Sequence, residues 1–135
     1  MTDESFALIR RVYAAINAGN IESIFDLMAP DVEWVNPPYA IEPGTRIGHE
    51  GFAKAVENVR SNFPDFEYTI EAMNHHGDDV VVTAKFRGNS EASGELSINR
   101  YHVWTLRDGK ISRFRWFSNE QEALEAAEPA DPAAP

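Results

Sequence analysis

Two polar residues, Arg100 and His102, interrupt an otherwise apolar row between residues 96 and 106. This segment alternates like a β-strand, in which every second side chain points to the same face. An unpaired cation is costly to bury in a packed core. We therefore predict that both side chains face a cavity. The predicted row consists of Leu96, Ile98, Arg100, His102, Trp104 and Leu106.

His102 and Arg100 would supply complementary chemistry. An imidazole with its ordinary pKa of about 6.5 exchanges a proton near neutral pH, so His102 is the candidate acid–base group. A guanidinium binds a carboxylate or enolate oxygen, which makes Arg100 the candidate anion contact. Each has a structural alternative. His102 would bond to a backbone carbonyl or to the first helix, and Arg100 would pair with an acidic residue of a helix or of a partner subunit.

The third candidate catalytic residue is Asn36, which stands before two prolines. Its amide is suited to orienting a substrate oxygen or a water molecule, although Asn-Pro-Pro is also an ordinary turn sequence. Aromatic residues at alternating strand positions, together with one tyrosine of the first helix, form the candidate substrate-binding set. That set is Tyr13, Trp34, Trp104, Phe114 and Trp116.

We predict neither a metal site nor a cofactor. His75 and His76 stand beside an acidic turn, which is a common setting for metal ligands. However, adjacent residues of a strand point to opposite faces, so the two imidazoles cannot readily share one ion. His49 begins a predicted helix and is interpreted as a surface or capping residue.

Periodicity places these candidates on a helix-rich first half and a strand-rich second half. Apolar spacing predicts helices over residues 6–16, 21–28, 50–63 and 120–127. Strands are predicted over residues 32–36, 66–72, 80–86, 96–106 and 111–118, with loops at 39–48 and 87–94. Three helices interleaved with one strand, followed by a meander of four strands, indicate an α+β fold.

Composition limits the partners and the compartment. The 135 residues are predicted to form a single domain over residues 1–128, followed by a disordered tail rich in proline and alanine at 129–135. The formal charge of -10 disfavours nucleic acid and anionic membranes, and leaves a small organic molecule as the expected partner. The chain has no cysteine and shows neither a secretion signal nor an apolar run of about 18 residues, so we expect a cytoplasmic protein.

Two stretches of the sequence carry a family resemblance. YAAINAGNIESIFDLMAPDVEWVNP near the front and YHVWTLRDGKISRFRWF near the back, in this order, resemble the nuclear transport factor 2-like superfamily. The chain is most similar to its SnoaL-like polyketide cyclase branch, beside the ketosteroid isomerases and limonene epoxide hydrolases. The resemblance covers nearly all of residues 4–127. It implies a mixed or antiparallel sheet curved round the N-terminal helices into a cone with a mostly apolar pocket, and homodimers formed through the outer face of the sheet.

Few of the catalytic residues of these related families have equivalents in this chain. The position of the general-base Asp of ketosteroid isomerases is occupied by Asn36, and an amide does not accept a proton at neutral pH. The isomerases' protonated oxyanion-hole Asp corresponds to His102. Limonene epoxide hydrolases use a Tyr and a last-strand Asp where this chain has Trp34 and Trp116. SnoaL-like cyclases use an acid–base pair of the Asp/His type, and in this chain His102 is the only clear candidate for a member of such a pair.

Three functions remain open from the sequence. The first is a cofactor-independent enzyme of the cyclase, isomerase or hydrolase type, acting on an apolar substrate with a carbonyl group. In that hypothesis His102 exchanges the proton, while Arg100 and Asn36 hold the developing oxyanion. The second is a non-catalytic module that binds a hydrophobic ligand in the same pocket. The third is an interaction scaffold with a dimer face.

Overall fold

The structure is a computed structural model that describes residues 2–128. The predicted tail, residues 129–135, lies outside the described residues. The described elements, in chain order, are α1 (Thr2–Ala18), a 3₁₀ helix (Ile21–Leu27), β1 (Met28–Asn36), β2 (Gly44–Ile47), α2 (Gly48–Asn62), β3 (Glu67–His76), β4 (Asp79–Ser90), β5 (Gly94–Arg107), β6 (Lys110–Phe117) and α3 (Glu120–Ala126).

The strands of the described chain join one sheet in the order β2-β1-β6-β5-β4-β3. β1 and β6 run parallel, and every other neighbouring pair is antiparallel. Apolar residues of α1 and α2 merge with those of the strands in the main core, whereas α3 packs on the opposite face of the sheet. The predicted α+β class, with a curved mixed sheet around the N-terminal helices, is confirmed. No helix within residues 2–128 is long and apolar enough to cross a membrane.

A glycine ends α1. Gly19 has a φ of +72°, a left-handed conformation that side chains with a Cβ rarely adopt. Its N–H donates to the carbonyl of Ile16 at 3.1 Å, and the N–H of Asn20 donates to the carbonyl of Ala15 at 2.9 Å. This pair of bonds is a Schellman cap. The sequence predicts the stop correctly, and the cap leaves Asn17 in the last turn of α1.

Short elements differ from the sequence prediction. The sequence predicts a loop over residues 39–48, but Gly44–Ile47 forms β2, which pairs with β1. The predicted loop at 87–94 is shorter, because β4 and β5 extend into it. The predicted helix at 21–28 is a 3₁₀ helix with a kink at Ile24. Elements this short depend on the partner they pack against, and their own residues carry little periodic signal.

Register shifts change which strand residues face the core. The pairing of β3 with β4 skips Glu71. Strict alternation would place Ala72 on the inner face, but Ala72 is exposed and Met73 turns inward instead. A shift between β5 and β6 brings Ile111 into the same core as Phe114, although their positions differ by an odd number. A bulge reverses the facing of all following residues. Strict alternation therefore fails beyond each bulge.

A buried ion pair lies beneath α3, on the face of the sheet opposite the main core. Asp79 accepts a hydrogen bond from the hydroxyl of Thr105 at 2.5 Å and one from the N–H of Glu128 at 2.9 Å. Arg115 lies 3.4 Å from Asp79 and donates to the carbonyl of Ala126 at 3.0 Å. The Asp79 and Arg115 side chains are only 3% and 14% exposed. The pair therefore fastens the end of α3 to β4 and β6.

Asp79→Ala is expected to lower the free energy of unfolding by about 3 kcal/mol, because it leaves the charge of Arg115 buried without its partner. Urea denaturation followed by far-ultraviolet circular dichroism measures this loss. The matched control is the double variant Asp79→Ala/Arg115→Met, which removes both charges and should recover much of the lost stability. A double variant as unstable as the sum of the two single changes would contradict the coupling.

Candidate functional site

A cavity of about 480 Å³ opens between α2 and the inner face of the sheet. Alternate residues of β5, from Leu96 to His102, line it, as the sequence alternation predicts. The side of β5 that carries Tyr101 and Val103 instead contributes to the small cluster beneath α3. The volume lies within the range of about 300–1,000 Å³ that is usual for small-molecule sites.

A buried hydrogen-bond chain holds His102 at the inner end of the cavity. The indole Nε1–H of Trp104 donates to the hydroxyl oxygen of Tyr13 at 3.0 Å, and that hydroxyl contacts Nδ1 of His102. An indole is only a donor, so the tyrosine oxygen accepts this bond. Among residues 2–128 the only other hydrogen-bond partner of the Tyr13 hydroxyl is Nδ1 of His102, so its proton is directed to the imidazole rather than left buried without an acceptor. Nδ1 is therefore the unprotonated nitrogen. The proton of the neutral ring lies on Nε2, on the side of the ring away from Tyr13.

The environment keeps this imidazole neutral. His102 is 1% exposed. Burial, reinforced by the charge of Arg100, lowers the pKa of His102 to about 3. Burial also raises the pKa of Tyr13 well above its ordinary value. His102 Nε2 is itself buried and has no hydrogen-bond partner among residues 2–128. It is thus a donor that protein atoms of the described chain do not satisfy.

Arg100 lies on the same row as His102 and also lines the cavity. Its Nη1 donates to the backbone carbonyl of Asn99 at 3.2 Å, and its guanidinium lies 5.7 Å from the ring centroid of Trp116. Within the described part of the chain, no carboxylate lies within 4.0 Å of it. The intramolecular ion pair considered as its alternative role is therefore not formed in that part of the chain.

Asn36 organises the aromatic wall of the cavity. Its Oδ1 accepts hydrogen bonds from the indole of Trp34 at 2.9 Å and from the indole of Trp116 at 2.7 Å. Its Nδ2 donates to the backbone carbonyl of Glu42 at 3.0 Å. Both lone pairs of the oxygen are occupied, so the amide oxygen is not available to a substrate or water. The geometry makes Asn36 a positioning residue rather than the catalytic residue that the sequence suggested.

The predicted aromatic set divides into two groups. Trp34 and Trp116 line the cavity. The other three, Tyr13, Trp104 and Phe114, do not line it and are at most 3% exposed. Their rings pack together, with 4.5 Å between the centroids of Trp104 and Phe114, and fill the narrow inner end of the fold. The structure therefore places these three in the packed core, whereas the sequence analysis assigned them to the substrate-binding set.

Sequence reasoning missed several cavity residues. Tyr68 and Phe86 line the wall from β3 and β4, and Glu42 and Arg46 lie at the rim, joined by an ion pair of 3.1 Å. Alternation was a usable signal for Tyr68 and Phe86, since each shares one strand face with apolar residues at every second position. No group of three or more metal-ligating side chains occurs among residues 2–128.

Comparison with known proteins agrees with this architecture. A family model described as the SnoaL-like domain matches residues 9–114. Among solved structures, TerC, co-crystallised with polyporic acid, is 28% identical with a TM-score of 0.74, and the alignment covers 91% of this chain and 99% of TerC. No curated protein sequence matches the chain.

Two further solved structures share the fold. A protein of a Jannaschia species, assigned as a SnoaL-like polyketide cyclase, is 18% identical with a TM-score of 0.75, and the alignment covers 96% of this chain and 94% of that one. An NTF2-like protein of unknown function from Burkholderia pseudomallei is 21% identical with a TM-score of 0.74, covering 90% and 95%. Because the family match includes both strands that carry Asn36, Arg100 and His102, and most of the chain, this protein belongs to the SnoaL-like domain family of the NTF2-like fold.

Proposed function

We propose that the protein binds an apolar small molecule in its cavity through a carbonyl or enolate oxygen, which His102 Nε2–H and the guanidinium of Arg100 stabilise. The observation that carries this proposal is the buried, unpartnered Nε2 on the same strand row as an unpaired cation. Buried polar groups in native proteins normally have a partner. An oxygen of a bound ligand would supply one, and its negative charge would balance Arg100.

The pKa assigns a specific role to His102. With a pKa of about 3 and with Nδ1 bonded to Tyr13, the imidazole is not a base at neutral pH. We propose that it acts as a neutral donor to an oxygen that gains charge during an acid–base reaction, such as cyclisation, isomerisation or hydrolysis. This differs from the proton exchange that the sequence suggested, because burial removes the basicity of the ring.

Local charge outweighs the overall charge at this site. The chain carries a formal charge of -10, which would repel an acidic ligand from a distance. At physiological salt the screening length is about 8 Å, so exposed carboxylates farther away contribute little. A partly buried guanidinium in the wall acts at contact distance. An apolar ligand with one acidic oxygen therefore remains compatible with the acidic surface.

The TerC structure supports an acidic ligand. That protein, 28% identical over nearly its whole length, was co-crystallised with polyporic acid. The two indoles held by Asn36 would form an aromatic wall for the apolar body of such a ligand.

A non-catalytic ligand carrier is the second candidate. Glu42 is the only carboxylate lining the cavity among residues 2–128, and it is 72% exposed and paired with Arg46. No carboxylate of this part of the chain is thus placed to act as a base. Mass spectrometry of small molecules carried through purification, before and after incubation with wild type and His102→Phe, distinguishes the candidates. A carrier returns its ligand unchanged, whereas an enzyme converts it and the variant does not.

The neutrality of His102 predicts a pH dependence of stability. The unfolded chain binds a proton at His102 below pH 6.5, whereas the folded protein does so only near pH 3. Stability from this group is therefore present above pH 6.5 and is lost as the pH falls, by about 1.4 kcal/mol per pH unit. Urea denaturation at pH 7 and pH 5 measures the loss. His102→Phe, which does not titrate, should lose less stability over this interval, and an equal loss would contradict the assignment.

Arg100→Gln is expected to weaken binding of 2-naphthoate about tenfold, and that of the neutral ketone 2-acetonaphthone much less, because the guanidinium contacts a charged oxygen. Quenching of tryptophan fluorescence measures both affinities, since Trp34 and Trp116 line the cavity. The control is Arg87→Gln, an identical charge change at an exposed position of β4. Equal losses in the two variants would show a general charge effect and contradict the contact.

A further inference from the structure

Tyr68, on β3, is a cavity residue with no part in the function proposed so far. Its ring stands edge-on to the imidazole of His102, with 5.1 Å between the centroids. It also packs edge-on against Phe86, on the neighbouring strand, at 5.3 Å. Tyr68 therefore lies beside the unpartnered donor, on the adjoining part of the wall.

The hydroxyl of Tyr68 is a second hydrogen-bond donor at this place. It makes no hydrogen bond to any residue between 2 and 128 and, unlike His102 Nε2, it is not a fully buried atom, so water reaches it from the cavity. Burial raises the pKa of Tyr68 to about 12, while the charge of Arg100 acts in the opposite direction. Arg100 and Tyr68 both line the cavity, so the guanidinium and the phenol border the same space. At neutral pH the phenol is protonated and can donate.

The backbone around Tyr68 is held on both edges. β3 is the last strand of the sheet, so the outward N–H and carbonyl of its residues have no neighbouring strand. At Tyr68 the side chain of Asn17 replaces that strand: Nδ2 donates to the carbonyl at 2.9 Å, and Oδ1 accepts from the N–H at 2.9 Å. On the inner edge Tyr68 stands opposite Phe86 of β4, and the residues on either side of Tyr68 make the backbone hydrogen bonds to that strand, because Asn17 takes both backbone groups of Tyr68. The phenol is thus carried by a rigid segment.

We propose that the hydroxyl of Tyr68 donates to a further oxygen of the ligand, one that stands beside the carboxylate or enolate group held by His102 and Arg100. The cavity then selects planar apolar acids that carry an additional oxygen next to this group over acids that lack it. This inference rests on the proposed function, because it adds a contact to the same bound ligand. Its geometric basis is the juxtaposition of two donors, the buried Nε2–H of His102 and the hydroxyl of Tyr68, in the wall of a cavity that Arg100 also lines.

The test compares 2-naphthoate with 3-hydroxy-2-naphthoate, which adds one oxygen next to the carboxylate. Wild type is expected to bind the hydroxy acid about three- to tenfold more tightly, the usual size of one additional hydrogen bond. Tyr68→Phe, which removes only the hydroxyl, should abolish this preference and leave the affinity for 2-naphthoate nearly unchanged. Tyr101→Phe is the matched control, since Tyr101 packs with Val81 and Val103 on the opposite face. Tryptophan fluorescence provides the affinities.

The outcomes separate the two proposals. If 2-naphthoate binds but wild type shows no preference, or if Tyr68→Phe retains it, the role of Tyr68 is overturned and the proposed function stands. If neither acid binds wild type, the proposed function is overturned together with this inference. A preference that Tyr68→Phe abolishes and Tyr101→Phe retains supports both.

Discussion

The hydrogen-bond chain from Trp104 through Tyr13 to His102 is the constraint on which the site depends. It connects α1 to β5 in a part of the molecule that is almost fully buried. An indole can only donate, and the Tyr13 hydroxyl has no acceptor other than His102 among residues 2–128, so these two facts together determine the direction of the chain. This direction determines which nitrogen of the His102 ring carries the proton. Burial lowers the pKa of His102 and so keeps the ring neutral, with a single ring proton. The chemical character of the cavity therefore originates in a core tryptophan that does not line it.

Alternation in β5 was sufficient to predict the wall of the cavity. Arg100 and His102 were identified because a polar pair in an apolar row has to be satisfied by something other than hydrocarbon. The family resemblance predicted the sheet and helix arrangement, and the match to the SnoaL-like domain confirms it. The first inference succeeds because the face on which a strand residue lies depends on one contiguous segment. The second succeeds because the order of helices and strands can be read directly along the sequence.

Other features depend on contacts between distant segments and were missed. Trp104 and Phe114 share strand rows with residues of the cavity wall, but they are buried in the core, and alternation contains no information on depth. The double use of the Asn36 oxygen requires indoles from β1 and from β6 to converge, which no local pattern indicates. The register shift at Glu71 in β3 likewise has no signal in the local sequence pattern. Sequence reasoning thus found the face of residues on stretches of strand without a bulge, but not their depth or their partners.

β4 and β5 pair without a register break from Asp79–Thr105 to Ser90–Gly94, so even-numbered residues of both strands share one face and odd-numbered residues the other. The even face borders the cavity and the core, while the odd face carries Asp79, Thr105 and the cluster under α3. Amino-acid substitutions on one face of these two strands can therefore accumulate without affecting the other face. Substitutions at positions such as 96, 98 and 100 can alter which molecule is recognised without disturbing the fastening of α3. This separation allows one backbone to diversify in chemistry during evolution while its folding determinants are retained.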